Sequence, residues 1–296
     1  MTCATAGWLA TLVVSLSAAS CGPHVVGLVV DRWSVLADGN WSLEPGTEDS
    51  SWCKTVVMTE DTYISAIRPI AAAGTHHISL TVATAPDDGD CTAGRFGPRM
   101  IYAAGPGAGE LRFPLHVAMK LSEGDALHLN LHLYNPTSAT VAGISGIEVV
   151  RAKAAAVENE AGFVLAGPAR FTLPPAMRTT IAHTCRVASD QTVVALIPLM
   201  HKLGVQFRAS VVHGSDTTVL HDGAFRFEDQ SQVPIGPMLF RAGDAITTEC
   251  TFENTTYHPV TPGHGNGEIC FAALLRFPSG ALLDCAELAT RVGSGQ

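Results

Sequence analysis

His76, His77 and His132 are the residues of this chain whose types and spacing point most directly to chemistry. The first two are adjacent, after Gly74-Thr75 and before Ile78-Ser79-Leu80-Thr81-Val82. The third lies in His128-Leu129-Asn130-Leu131-His132-Leu133-Tyr134-Asn135-Pro136. Three neutral imidazoles suit copper or zinc, and no acidic fourth ligand stands out near them. We expect the three to converge on one ion, and copper is the assignment. Neighbouring residues on a regular strand point to opposite faces, so His76 and His77 share an ion only where the backbone bends. Gly74 just upstream permits that bend. His128 shares the face of His132 and reads either as a partner that orients an imidazole or as an ordinary surface residue.

Such side chains need strands to hold them. The stretch from Leu127 to Leu133 alternates without a slip, so its leucines share a core face and His128, Asn130 and His132 share the other. Pro136 ends it. Short apolar or alternating runs recur along the first half, at Val25–Val30, Thr55–Met58, Tyr63–Ile67, Leu111–His116 and Val141–Val150. Turn residues separate them, as at 37–40, 44–46, 86–90 and 105–109. The second half gives further runs at Ala169–Leu173, Thr179–Ala182, Thr192–Leu199, Val205–Val212, Thr217–Leu220, Met238–Phe240, Ala245–Phe252 and Ile269–Phe277. Many short strands at this spacing indicate an all-β fold, here two tandem antiparallel β-sandwich (jelly-roll-like) domains. The helix-forming composition of Arg151–Glu160 marks the boundary. The expected division is a leader over 1–21, a first sandwich over 24–150, a linker over 151–163 and a second sandwich over 164–296. No convincing repeat relates the two halves.

The chain carries 18 Lys and Arg against 27 Asp and Glu, for a net charge of −9. With no basic cluster it lacks the cations that nucleic-acid phosphates demand. Residues 1–20 hold no charged side chain. The apolar run Trp8–Leu16 followed by Ser17-Ala18-Ala19-Ser20-Cys21 has the outline of a secretory signal, with Cys21 in the position of a lipid-acceptor cysteine. The expectation is export to a periplasmic or extracellular space, either with membrane attachment through a lipid on Cys21 or with ordinary cleavage nearby that leaves Cys21 a passenger. Setting aside Cys3 and Cys21 of the leader, Cys53, Cys91, Cys185, Cys250, Cys270 and Cys285 form an even set without Cys-x-x-Cys. That favours disulfides over a thiolate metal site, in any of fifteen pairings. Asn40-Trp41-Ser42 and Asn254-Thr255-Thr256 are glycosylation sequons for a eukaryotic secretory route.

Several segments together resemble the type II copper, ascorbate-dependent monooxygenases, the family of the peptidylglycine and dopamine hydroxylating enzymes. They are Leu43-Glu44-Pro45-Gly46-Thr47 leading to Ser51-Trp52-Cys53, then Tyr63-Ile64 and Ile67-Arg68-Pro69, then Thr75-His76-His77-Ile78, then Leu131-His132-Leu133-Tyr134. In the second half the matching segments are Leu199-Met200-His201-Lys202-Leu203-Gly204, Arg241-Ala242-Gly243-Asp244-Ala245 running to Cys250-Thr251-Phe252, and Glu268-Ile269-Cys270. The resemblance implies an all-histidine copper site at His76, His77 and His132. It also implies disulfides Cys53–Cys91, Cys185–Cys285 and Cys250–Cys270.

The family's second, oxygen-activating copper is held by two histidines and a methionine. Here Leu199 stands for the first histidine and Ile269 for the methionine, leaving His201 as the remnant. His258 and His264 lie in the loop between Cys250 and Cys270, where they could complete it. The leading expectation is therefore an exported copper protein with one occupied site, used for copper binding or electron transfer. A small reductant and a small-molecule or peptide ligand are its expected partners. The alternatives are an active copper monooxygenase that hydroxylates a C–H bond, and a non-catalytic ligand-binding module.

Overall fold

The computed structural model describes residues 32–83, 99–105, 107–227, 230–263, 267–280, 283–285 and 290–291. The leader with Cys21, the strand expected at Val25–Val30, the turn at 86–90, Cys91 and His264 lie outside the described residues. The chain is all-β. The first half gives β1 (Trp33–Leu43), β2 (Glu48–Val57), β3 (Thr62–Ile70), β4 (Thr75–Val82), β5 (Arg99–Ala104), β6 (Leu111–Arg112), β7 (Val117–Leu121), β8 (Ala126–Tyr134) and β9 (Val141–Ala152). The second gives β10 (Asn159–Ala166), β11 (Met177–Val187), β12 (Gln191–Leu199), β13 (Gly204–His213), β14 (Asp216–Ala224), β15 (Val233–Phe240), β16 (Ala245–Asn254), β17 (Phe271–Phe277), β18 (Leu283–Asp284) and β19 (Thr290–Arg291).

Each half stacks two sheets. In the first, β1-β9-β3-β7 faces β2-β8-β4-β5; in the second, β10-β17-β12-β15 faces β11-β16-β13-β14. All these neighbours run antiparallel. One parallel pair, β7 with β10, fuses the two larger sheets into one. The segment expected as a linker, 151–163, holds the end of β9, a 3₁₀ turn at Ala154–Ala156 and the start of β10.

The second half repeats the main strand order of the first, with β6, β18 and β19 standing outside the repeat. Thr62 opposes Leu121 where Gln191 opposes Phe240. The bulge between Ile64 and Ala66 recurs between Val193 and Ala195, and the one between Thr75 and His77 recurs between Gly204 and Gln206. Gly124-Asp125 and Gly243-Asp244 make the same turn. Each glycine has positive φ, and each carboxylate accepts a backbone N–H three residues back, from Ser122 at 2.9 Å and from Arg241 at 2.8 Å. Each strand that follows ends in a buried asparagine. Asn135 donates to Leu43 O, Glu44 O and Ala139 O and accepts from Thr137. Asn254 donates to Leu173 O, Pro174 O and His258 O and accepts from Thr256. The Asn254 sequon is thus spent on internal hydrogen bonds, whereas Asn40 is exposed.

Local expectations differ from the structure at three places. The turn expected at 37–40 lies inside β1, because Gly39 has no side chain to collide with the Trp52 indole stacked on it. Leu111–His116 is a strand only over Leu111–Arg112; Pro114 interrupts it, and His116 adopts positive φ. Ala169–Leu173 is a loop in which Leu173 makes a single bridge to Val260. On β8 the apolar face is as expected. Leu127, Leu129, Leu131 and Leu133 are almost wholly buried between the sheets of the first half.

Candidate metal centre

The bulge in β4 makes the site. Between Thr75 and His77 the strand spends two steps against one step of β8, from Leu133 to His132. His76 is the extra residue. The irregularity turns it toward the side that His77 already shares with its cross-strand partner His132. Gly74 launches the bulge at φ +100°, and a Cβ there would lie 2.8 Å from the Trp41 ring. Ser145 ties this corner down: its hydroxyl accepts from Trp41 Nε1 at 2.9 Å and shares a 2.6 Å bond with Thr75 Oγ1.

The three imidazoles therefore converge. Ring centroids are 5.0 Å apart for His76–His77, 5.3 Å for His76–His132 and 5.9 Å for His77–His132. One nitrogen from each lies within 4.8 Å of the others, and Nδ1 of His76 is 3.3 Å from Nδ1 of His77. Two nitrogens on a common tetrahedral ion, with metal–nitrogen bonds of about 2.0–2.1 Å, stand roughly 3.3 Å apart. The adjacent pair already has that spacing, and the third ring offers a nitrogen within 4.8 Å of the pair's ligand atoms. The residues thus fit a copper or zinc ion on three neutral donors.

The second half covers the cluster. The Phe227 ring lies 4.5 Å from the His76 ring and 4.4 Å from that of His77. Gln230 Nε2 is 2.5 Å from His77 Nε2. Glu48, the first residue of β2, accepts from His132 Nε2 at 2.6 Å and, on the same oxygen, from Lys202 Nζ at 2.6 Å. The carboxylate fixes His132 with its proton on Nε2 and its lone pair on Nδ1. The Lys202 hydrogen bond, partly offset by burial and aided by His132, holds the Glu48 carboxyl below its usual range. Burial lowers the His77 pKa well below the ordinary histidine value, and the neighbouring His76, His132 and His201 lower it further. His77 is therefore neutral at pH 7.

His201 also lies beside Phe227, with ring centroids 6.2 Å apart. Its Nδ1 bonds Gly267 O at 2.9 Å. Glu268 anchors this corner by accepting from the backbone of His201 at 2.9 Å and Leu203 at 2.7 Å. Burial pushes its carboxyl up to about 7 despite those donors. Met200 and Ile269 are buried, and His258 is exposed in the loop after Asn254. Neither His201 nor His258 joins a convergent ligand group among the described residues. His128 is buried rather than exposed; its Nε2 has no hydrogen-bond partner among the described residues, and it lies two rungs along β8 from His132.

Cys185–Cys285 and Cys250–Cys270 are disulfides. His183 sits beside the first, whose sulfurs are consumed by that bond and offer no thiolate. Cys53 lies on the same face as Asn130, and its expected partner Cys91 is outside the described residues. Glu48, Phe227 and Gln230 sit in no motif that would single them out in sequence, and Lys202 stands in the quoted segment only as the neighbour of His201; the bulge-forming Gly74 alone hints at the geometry. No protein-family model matches the chain, and no curated protein matches it.

Proposed function

We propose that this is an exported copper-binding protein with one all-histidine site, His76, His77 and His132, on the first of two β-sandwiches. One observation carries the reading: the β4 bulge places adjacent histidines on one side of the strand, with Nδ1 atoms 3.3 Å apart beside His132. A bulge that serves only the sheet has no need of imidazoles at all three positions; at the equivalent bulge of the second half they are Val205, Gln206 and Thr251. Copper held there would supply a reversible one-electron couple.

The surrounding residues have separable tasks. Glu48 orients His132, Phe227 excludes water from the faces of His76 and His77, and burial keeps His77 unprotonated. Export is supported by the two disulfides, which belong in an oxidising compartment. The kinship to copper monooxygenases rests on the motifs quoted above. The reading stops at copper binding or electron transfer, because among the described residues His201 joins no convergent ligand group.

Metal titration of the purified protein tests this. The expected stoichiometry is one copper per chain, lost in the His76→Ala/His77→Ala double variant. Two coppers per chain would refute the single site, and none would refute the copper assignment.

A further inference from the structure

Gln230 stands in an unusual relation to these ligands. It is buried, in the connection between β14 and β15. Its Nε2 lies 3.2 Å from Met200 O and 3.4 Å from Phe227 O. Two carbonyl oxygens around one end of the amide fix that end as the nitrogen, since an oxygen there would face like dipoles. The same nitrogen is the one 2.5 Å from His77 Nε2, so the amide donates and the imidazole accepts. A neutral imidazole that accepts at Nε2 carries its proton on Nδ1. That Nδ1 is the atom 3.3 Å from His76 Nδ1, facing the place an ion would take. His132 is set the opposite way, with its proton outward on Nε2 toward Glu48. Gly105 makes room for the arrangement: a Cβ there would come within 2.8 Å of the Gln230 side chain.

We propose that Gln230 is a positioning residue that acts as a brake on metal uptake. It holds His77 in the tautomer whose inward nitrogen is protonated, so an ion enters only when the amide turns or withdraws and the His77 proton passes from Nδ1 to Nε2. The proposal rests on the metal-binding reading above and deepens it. The ligands belong to the first half and the brake to the second. Releasing the brake breaks the amide's bonds to Met200 and Phe227, so uptake loosens the residue before His201 and the one whose ring covers His76 and His77.

Two measurements on the full chain test it. Long-range ¹H–¹⁵N correlation of the metal-free protein at neutral pH reports which ring nitrogen carries each proton. The expected result is Nδ1–H for His77 and Nε2–H for His132; Nε2–H for His77 overturns the brake. Copper titration of Gln230→Met, which removes the donor and keeps the bulk, is expected to show binding about two- to tenfold tighter than wild type, the worth of one ordinary hydrogen bond. A packing role alone predicts weaker binding, and that outcome also overturns the brake while leaving the copper site standing. Gln230→Leu is the second variant should Gln230→Met not fold. If wild type and variant alike bind no copper, the proposed function falls and the brake with it.

Discussion

Glu48→Gln is the perturbation that isolates the orientation of His132 from the folding of its strand. The carboxylate oxygen sits 2.6 Å from His132 Nε2. A hydrogen bond to a charged acceptor is worth about 1.5–3 kcal/mol and to a neutral one about 0.5–1.5, so glutamine forfeits roughly 1–1.5 kcal/mol. The Glu48 side chain is 39% exposed, and solvent screening trims this to about 0.5–1.4 kcal/mol. Copper affinity is then expected to fall about two- to tenfold. That is less than the roughly 10–100-fold typical when such a partner is lost outright, because glutamine retains an acceptor. Folding stability is expected to change by less than about 0.5 kcal/mol, as for other exposed ion pairs. Competition titration against a chromophoric chelator gives the first quantity and denaturant unfolding the second. Lys202→Met leaves Glu48 on His132, so its affinity is expected within about twofold of wild type. The reasoning fails if Glu48→Gln binds copper as tightly as wild type, or if affinity and stability fall together.

Two further predictions concern the second half. The triple variant Val205→His/Gln206→His/Thr251→His places imidazoles on the repeated bulge and is expected to raise the metal stoichiometry by one per chain; an unchanged stoichiometry would mean that the two bulges differ in side-chain direction. Glu268 has a folded-state pKa of about 7, above the ordinary carboxylate value, so between about 4.5 and 7 the folded chain binds more protons than the unfolded one. Its contribution is full below about 4.5 and is lost as pH rises toward 7. Glu268→Gln should remove that loss, so wild type gives up stability relative to the variant between pH 5 and pH 7 in denaturant unfolding; parallel curves would place the ionisation elsewhere.

Periodicity made the strands legible because each sheet of a sandwich has one face turned to the core and one turned outward, and the buried leucines from Leu127 to Leu133 report this directly. The convergence of His76 and His77 was legible only as a condition, a bend after Gly74, because a bulge alters register without altering composition. The covering residues were not legible. Phe227 and Gln230 reach the site through tertiary folding over more than sixty positions of sequence, and nothing local distinguishes them. The repeat was present in writing as Gly-Asp-Ala followed, after eight residues, by Asn-x-Thr, at Gly124 and again at Gly243. Little else in the sequence repeats, because the turn and the terminal asparagine are specified chemically, whereas the strands between them need only alternate.

The parallel seam between β7 and β10 has a practical consequence. Asn159, Glu160 and Ala161 lie along Val117, Ala118 and Met119, so the chain closes one sandwich with the opening strand of the next. Dividing the protein between 150 and 164, where composition invites the cut, would strip that strand away. Either fragment would then offer bare amide and carbonyl groups to a neighbour, and self-association rather than two well-behaved monomers is the outcome to expect.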